Sequence, residues 1–383
     1  MNVIFTCGGT GGHINPAIAV AKAYQQRHPD ANILFIGAMY AMEEKLVPKE
    51  GFEIKCVESS YGLSRGLGLK SLSENLTGVV RTVKALNRCR KIIKEFKPDV
   101  IMGTGGYACF PALLTGSLMG IPTCVHESNA QPGLTTRLLA KRVDRTMICF
   151  AESAAGYEDP SKLTAVGMPI RQEFIRPDRA KARKELGIGE EEFVVVSAFG
   201  SLGAQKMNEI VAEMFLLEQK AGFPFRHVHA TGRRGWDWMP DQVRASGIDL
   251  SKCDRIDLRE YLYDMAKLMA AADVFISRSG ASTCNEIAAC GVPSILIPSP
   301  NVTDNHQEKN AWVLSNKGGA VTILEADCTA QVLLEQVMAL LSDGGRRDAM
   351  RTTLQKNMIL DSAERICDIL DELIQGTKGK NHG

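Results

Sequence analysis

The sequence predicts an α/β protein of two similar halves, each a parallel sheet with helices on its faces. Three observations carry that expectation. Short apolar runs of strand length alternate with stretches of helical period along the chain. A strand, a glycine-rich turn and a helix open the chain at residues 3–24 and recur at residues 193–214, so the second half repeats the plan of the first. At 383 residues the chain is also too long for one ordinary core. A composition shift around Pro169 and Pro177 sets the expected boundary. It gives domains at 1–168 and 169–353, with a last helix over about 354–375 crossing back to the first.

The first strand is Val3-Ile4-Phe5, and Ile14, Ala17, Ile18, Ala21 and Tyr24 keep the spacing of one helix face. Between them runs Cys7-Gly8-Gly9-Thr10-Gly11-Gly12-His13. Glycine lets backbone approach a ligand, and the first amides of a helix lack intrahelical partners and sit at the positive end of its dipole. The stretch reads as an anion site, since a plain tight turn needs fewer glycines. Residues 33–37 and 54–57 read as the next strands, with a helix at 43–49. Over 63–94, Leu72, Leu76, Val79, Val80, Val83 and Leu86 keep helical spacing while Arg81, Lys84, Arg88 and Lys91 form a basic stripe. With Leu67 and Leu69 in the loop before it, this helix suits an anionic membrane face. An ordinary solvated surface suits it equally well.

Residues 100–125 carry no charge and are long enough to span a bilayer. Turns at 103–107 and at Ile121-Pro122 instead divide them into strand, glycine loop, helix and strand. His126-Glu127-Ser128-Asn129-Ala130-Gln131-Pro132-Gly133 then follows a strand end, where open α/β sheets hold their ligands. The alternative is that His126 and Asn129 only satisfy loop backbone.

In the second half, the strand at 193–198 leads into Phe199-Gly200-Ser201-Leu202-Gly203-Ala204 and a helix with Met207, Ile210, Val211 and Met214 inward. His227 and His229 share a strand face, and without a third ligand beside them they read as structural. Strands at 256–258 and 274–277 flank a helix over 261–271. Then comes Ser277-Arg278-Ser279-Gly280-Ala281-Ser282-Thr283-Cys284-Asn285-Glu286. Its small residues open a helix whose first amides can hold a diphosphate, and Glu286 can accept both hydroxyls of a ribose. The plainer role for Glu286 is a dipole partner. Asp304, His306 and Gln307 add polar groups after the strand at 294–297, and residues 378–383 read as a frayed tail.

A net charge of +1 argues against a nucleic-acid binder. The 11 cysteines are odd in number and scattered, which suggests reduced thiols and neither a disulfide framework nor a zinc site. The chain enters a strand directly, without the pattern of a secretory signal. No Asp-x-Asp is present to hold a divalent ion, so metal-free chemistry is expected, and no cofactor is called for.

Together these segments resemble the MurG family, bacterial enzymes that add N-acetylglucosamine to the lipid-linked muramyl-pentapeptide precursor of peptidoglycan. The matching pieces are GGTGGHINPAIAVA at 8–21, GTGGY at 103–107, HESNAQPG at 126–133, GMPIR at 167–171, GSLGAQKMNE at 200–209, SRSGASTCNEIAACGVPSILIP at 277–298 and DNHQEKNA at 304–311. They stand in the family's order. The resemblance implies the GT-B fold, two Rossmann-like parallel-sheet domains facing a central cleft, with acceptor and membrane beside the first and UDP-sugar on the second. It implies an inverting N-acetylglucosaminyltransferase that uses UDP-GlcNAc and undecaprenyl-diphosphate-linked muramyl-pentapeptide. Such an enzyme would sit peripherally on the cytoplasmic face of the bacterial membrane, near other proteins of cell-wall synthesis. Rival readings are a UDP-GlcNAc epimerase, a related transferase with another acceptor, and a non-catalytic UDP-sugar sensor.

By the same resemblance, Ala281, Ser282, Thr283, Cys284, Asn285 and Glu286 line the UDP site, with Ser201 and Arg171 on phosphate and nucleotide. Leu262 falls where the family reads uracil through backbone, and Asn129 and Gln307 match residues on the sugar hydroxyls. Thr10, Gly11 and Gly12 belong with the UDP-GlcNAc contacts and also lie where the acceptor diphosphate can sit. His13 is the first candidate for the general base and Glu127 the second; a loop-fixing imidazole is the alternative for His13. Met168 departs from the family, which usually carries asparagine there.

Overall fold

The computed structural model describes residues 1–58, 69–356 and 358–380; the side chains of 69–77 and 378–380 lie outside that description. The chain divides into two compact units, Met1–Ile170 with Ile359–Gly383, and Arg171–Met358.

The first unit is a seven-stranded parallel sheet of β1 (Asn2–Thr6), β2 (Asn32–Ala38), β3 (Glu53–Val57), β4 (Val100–Gly103), β5 (Thr123–Glu127), β6 (Arg145–Ile148) and β7 (Leu163–Ala165), in the order β3-β2-β1-β4-β5-β6-β7. Both faces of its strands are covered. Val3 and Phe5 pack into one core cluster and Ile4, between them, into the other, as the two-residue period of a strand requires. On the first face lie the helix Gly11–Arg27 and the final helix Ser362–Lys380, whose Ile366, Cys367, Leu370 and Ile374 are buried. Tyr24 Oη donates to Asp371 at 2.9 Å, and Arg27 pairs with Glu364 and Asp368, fastening the two helices. The other face carries Leu69–Phe96 and Cys109–Leu118.

The second unit is a six-stranded parallel sheet of β8 (Val194–Ala198), β9 (Arg226–Ala230), β10 (Ile256–Arg259), β11 (Val274–Ser277), β12 (Ser294–Leu296) and β13 (Ala320–Thr322), in the order β10-β9-β8-β11-β12-β13. In each sheet the strand order reverses direction once, between β1 and β4 and between β8 and β11. Ligands of doubly wound sheets bind at such switch points, beyond the carboxyl ends of the strands.

Several expectations change in detail. The helix expected over about 354–375 is two elements: Gly344–Lys356, which belongs to the second unit, and Ser362–Lys380, which belongs to the first. The backbone of the expected frayed tail is helical as far as Lys380, and residues 381–383 lie outside the described residues. The helix expected over 261–271 begins at Met265. Before it Leu262 is buried while Tyr261 and Tyr263 are exposed with their rings 5.0 Å apart, an alternation of two rather than of 3.6. His227 and His229 both bond Ser197 Oγ, at 2.8 and 2.7 Å, and His227 Nδ1 lies 2.8 Å from Glu218, a buried polar network inside the sheet.

Candidate active site

In the first unit the loops after β1 and β4 meet at the switch point. Thr104 N–H donates to Thr6 O and Thr104 Oγ1 to His13 O at 2.7 Å. The glycine loops pass so close that a Cβ on Gly106, which has φ +89°, would stand 2.1 Å from Gly8 O. Only glycine fits there. Gly9 takes φ +87°, and Thr10, extended at φ −142°, caps the helix Gly11–Arg27. The amides of His13 and Ile14 bond back to Thr10 O, which leaves those of Gly11 and Gly12 at the open end of the helix.

His13 is held by this arrangement. Its Nδ1 lies 3.1 Å from Gly8 O, and its ring abuts Gly105, where an added Cβ would come within 2.8 Å of Cδ2. A carbonyl oxygen only accepts, so the hydrogen is assigned to Nδ1 and the basic lone pair to Nε2. The imidazole therefore fixes the loop, with Thr10 Oγ1 also 3.4 Å from Nδ1.

Glu127 has a different place from the one expected of a base. At the end of β5 it is buried, Oε1 accepting from Asn129 N and Nδ2 at 2.9 and 3.1 Å and Oε2 from Gly133 N at 3.0 Å. Its oxygens organise the loop 128–133, and it holds Asn129 in position. His126 is fully buried with Nε2 2.8 Å from Gly167 O, and burial pushes its pKa down. Met168 is buried too, so the position where the family carries asparagine is apolar in this chain.

In the second unit the candidate site lies at the N-terminal start of the helix Ala281–Cys290, entered from β11 through Arg278 to Gly280. Cys284 N bonds Gly280 O, so the amides of Ala281, Ser282 and Thr283 precede the first helical bond. Ser279 is buried and donates to the Gln307 carbonyl at 2.7 Å, and Gln307 Oε1 accepts from Ser299 N at 2.9 Å. Those bonds tie the loop after β12 to the helix start. Ser282 Oγ is buried and among the described residues has no hydrogen-bond partner. Asn285 is turned into its own helix, donating to Ala281 O at 2.8 Å, and Cys284 is buried, so these two shape the helix.

Glu286 lies one turn in. Burial pushes its carboxyl up from 4.5 to about 7, Arg171 opposing the shift and Glu173 adding to it. Arg171 is thus brought within electrostatic reach of Glu286; it pairs with Glu173 at 2.9 Å and stacks over Phe174 at 4.7 Å. Ser201 is exposed in the turn after β8, its carbonyl accepting from Arg233 N, and Leu262 is buried in the loop after β10. Ser201, Leu262, Arg171 and the residues of 281–286 belong to one unit; Thr10, Gly11, Gly12, His13 and Asn129 belong to the other.

The basic helix is Leu69–Phe96. Ala85, Cys89, Ile92 and Ile93 form its buried face, whereas Val79, Val80 and Val83 are about half exposed beside exposed Arg81, Lys84, Arg88 and Lys91. Leu67 and the side chains of Leu69, Leu72 and Leu76 lie outside the described residues. Among the described residues no helix is long and apolar enough to cross a membrane. Sequence reasoning passed over Glu43, a fully buried carboxylate whose Oε2 accepts from Gly9 N. The glycines beside it were the available signal.

Residues 3–148 match the glycosyltransferase family 28 N-terminal domain and residues 193–366 its C-terminal domain. A UDP-N-acetylglucosamine--N-acetylmuramyl-(pentapeptide) pyrophosphoryl-undecaprenol N-acetylglucosamine transferase of Acetivibrio thermocellus is 42% identical, over 98% of this chain and 99% of that one. The chain belongs to glycosyltransferase family 28. A family 28 relative of the same description from Desulforudis audaxviator is 39% identical over 99% of this chain and all of the other. Among solved structures, Acinetobacter baumannii MurG is 25% identical with a TM-score of 0.77, covering 97% of this chain and 99% of that one. The paired sheets of the family 28 chain are thus the GT-B arrangement expected from sequence. A UDP-GlcNAc 2-epimerase from Neisseria meningitidis shares the fold at a TM-score of 0.64 but only 15% identity.

Proposed function

We propose that this family 28 protein transfers N-acetylglucosamine from UDP-GlcNAc to the 4-hydroxyl of the muramyl sugar of undecaprenyl-diphosphate-linked muramyl-pentapeptide. The relatives that match it from end to end carry that transfer in their names. One structural observation carries the donor half. The helix Ala281–Cys290 starts at the β8/β11 switch point with first-turn amides that precede its first helical bond, a buried Ser282 Oγ without a partner among the described residues, and Glu286 within electrostatic reach of Arg171. Amides and helix dipole suit the diphosphate, Glu286 the ribose hydroxyls, and backbone at Leu262 the uracil.

The acceptor diphosphate goes to the amides of Thr10, Gly11 and Gly12, and His13 Nε2 takes the proton of the attacking hydroxyl. The new bond forms from that oxygen to the anomeric carbon as the bond to UDP breaks, with inversion. Arg171 and the helix amides stabilise the departing diphosphate. Glu127 holds Asn129 in place for the sugar. The outward valines and the basic stripe of Leu69–Phe96 support a peripheral seat on an anionic membrane, at the cytoplasmic face where UDP-sugars are found.

Radiolabelled transfer from UDP-GlcNAc to a short-chain lipid-linked muramyl-pentapeptide tests the reading. Wild type is expected to transfer, and His13→Ala to lose about 100- to 10,000-fold in kcat. UDP-GlcNAc conversion without acceptor, or binding without turnover in wild type, would favour an epimerase or a sensor and sink the transferase assignment.

A further inference from the structure

Behind the glycine loop lies a carboxylate that the reaction above does not use. Glu43, the first residue of the helix Glu43–Lys49, is 0% exposed. Its Oε2 accepts from Gly9 N at 3.1 Å and its Oε1 from Ala38 N at 2.8 Å. Ala38 is the last residue of β2, so one side chain ties the end of β2 to the loop after β1. Two neighbouring glycines leave space for it. A Cβ on Gly8 would stand 2.8 Å from Glu43 Oε1, and one on Gly37 would stand 2.6 Å from Glu43 Cγ. All of these contacts lie within the first unit.

Among the described residues no cation forms an ion pair with Glu43; backbone amides hold it. An unpaired buried carboxylate is costly, and a loop in need of packing alone would be served by an apolar side chain. One of the two bonds goes where the chain has least intrinsic preference, to Gly9 in its left-handed conformation immediately before the helix cap Thr10. The orientation of the Gly9 peptide sets the direction of the amides that follow. We propose that Glu43 is a positioning residue of the acceptor site, bracing the glycine loop from behind so that Thr10, Gly11 and Gly12 present their amides to the diphosphate. This rests on the assignment of the acceptor to that loop.

Charge and geometry make opposite predictions. A carboxylate behind an anion site repels the anion, so removing its charge should tighten acceptor binding if charge is what matters. Glu43→Gln also removes one of two acceptors, because the amide nitrogen cannot accept from a backbone N–H. If bracing is what matters, the acceptor kcat/KM falls roughly 10- to 100-fold, while the UDP-GlcNAc KM stays within about twofold. Hydrogen exchange at residues 7–13 should speed up by a comparable factor, with exchange in the second unit unchanged.

Gly8→Ala keeps the charge and pushes the carboxylate aside. The same acceptor-selective loss is expected of it, which guards against a poorly folding Glu43→Gln. Glu44→Gln serves as control, since the neighbouring Glu44 is exposed and accepts from Tyr40 N at the surface. Tighter acceptor binding in Glu43→Gln, equal losses for both substrates, or unchanged exchange at 7–13 each overturns the proposal. The exchange measurement needs no acceptor. If wild type transfers to some other acceptor, the acceptor reading fails while faster exchange still reports the brace.

Discussion

Glu286→Gln should make the protein more stable and less able to hold its donor, with a gap that depends on pH. The carboxyl is raised from 4.5 to about 7 by burial. Between those values the folded protein holds a proton that the unfolded chain has released. The unfolded state thus binds fewer protons, and stability falls as pH rises through that window. At about 1.4 kcal/mol for each pH unit, the full penalty is roughly 3 kcal/mol, reached above pH 7 and absent below pH 4.5. Glutamine carries no such proton. Urea unfolding of the second unit, followed between pH 4.5 and 8.5, should show the variant gaining on wild type by about that amount across the window. Donor binding should move the other way. The amide offers one acceptor where the carboxylate offers two, so the UDP-GlcNAc KM should rise about 10- to 100-fold at pH 8. In wild type the KM should fall as pH rises from 6 to 8, because ribose hydroxyls donate to the ionised form. A stability gap that stays flat with pH would refute the buried-carboxyl argument, and an unchanged donor KM would remove Glu286 from the ribose.

Replacing Arg81, Lys84, Arg88 and Lys91 together with glutamine should weaken sedimentation with anionic liposomes by more than about 100-fold at low salt, at about 1 kcal/mol per basic residue. Unchanged sedimentation would take this face out of the account. Gly106→Ala puts a Cβ 2.1 Å from Gly8 O in a residue with φ +89°. It should destabilise the first unit by more than about 2 kcal/mol and abolish transfer; wild-type melting and activity would show that the two loops do not need that approach.

Much of the fold was legible because parallel strands buried on both faces read as continuous apolar runs, as at residues 3–5 and 194–196, and because glycines punctuate the strand ends. What stayed hidden depends on which face the rest of the chain covers. The valines of the basic helix keep helical spacing, yet its core face is Ala85, Cys89, Ile92 and Ile93, displaced around the helix from the stripe that the larger residues mark. A three-residue strand such as β13 is too short for any period to show. The break after Lys356, which sends the last helix to the first unit, carries no glycine or charge run of its own.

The carboxylates show the deeper limit. Glu127 and Glu286 both follow a strand end in the sequence, and each can be read as a ligand group. Their acceptor capacity separates them. Both oxygens of Glu127 receive loop N–H donors, and both oxygens of Glu43 receive backbone N–H donors, one from the end of β2 and one from Gly9, 34 residues away. Among the described residues no donor bonds Glu286, which is half-buried, and desolvation raises its pKa. A carboxylate already saturated by its own loop shapes a site, while one left with open acceptors is available to a substrate. That distinction is invisible in sequence, because the donors come from backbone whose direction is fixed only after folding. It places Glu43 and Glu127 in the scaffold of the first unit and, on the function proposed above, leaves Glu286 for the ribose.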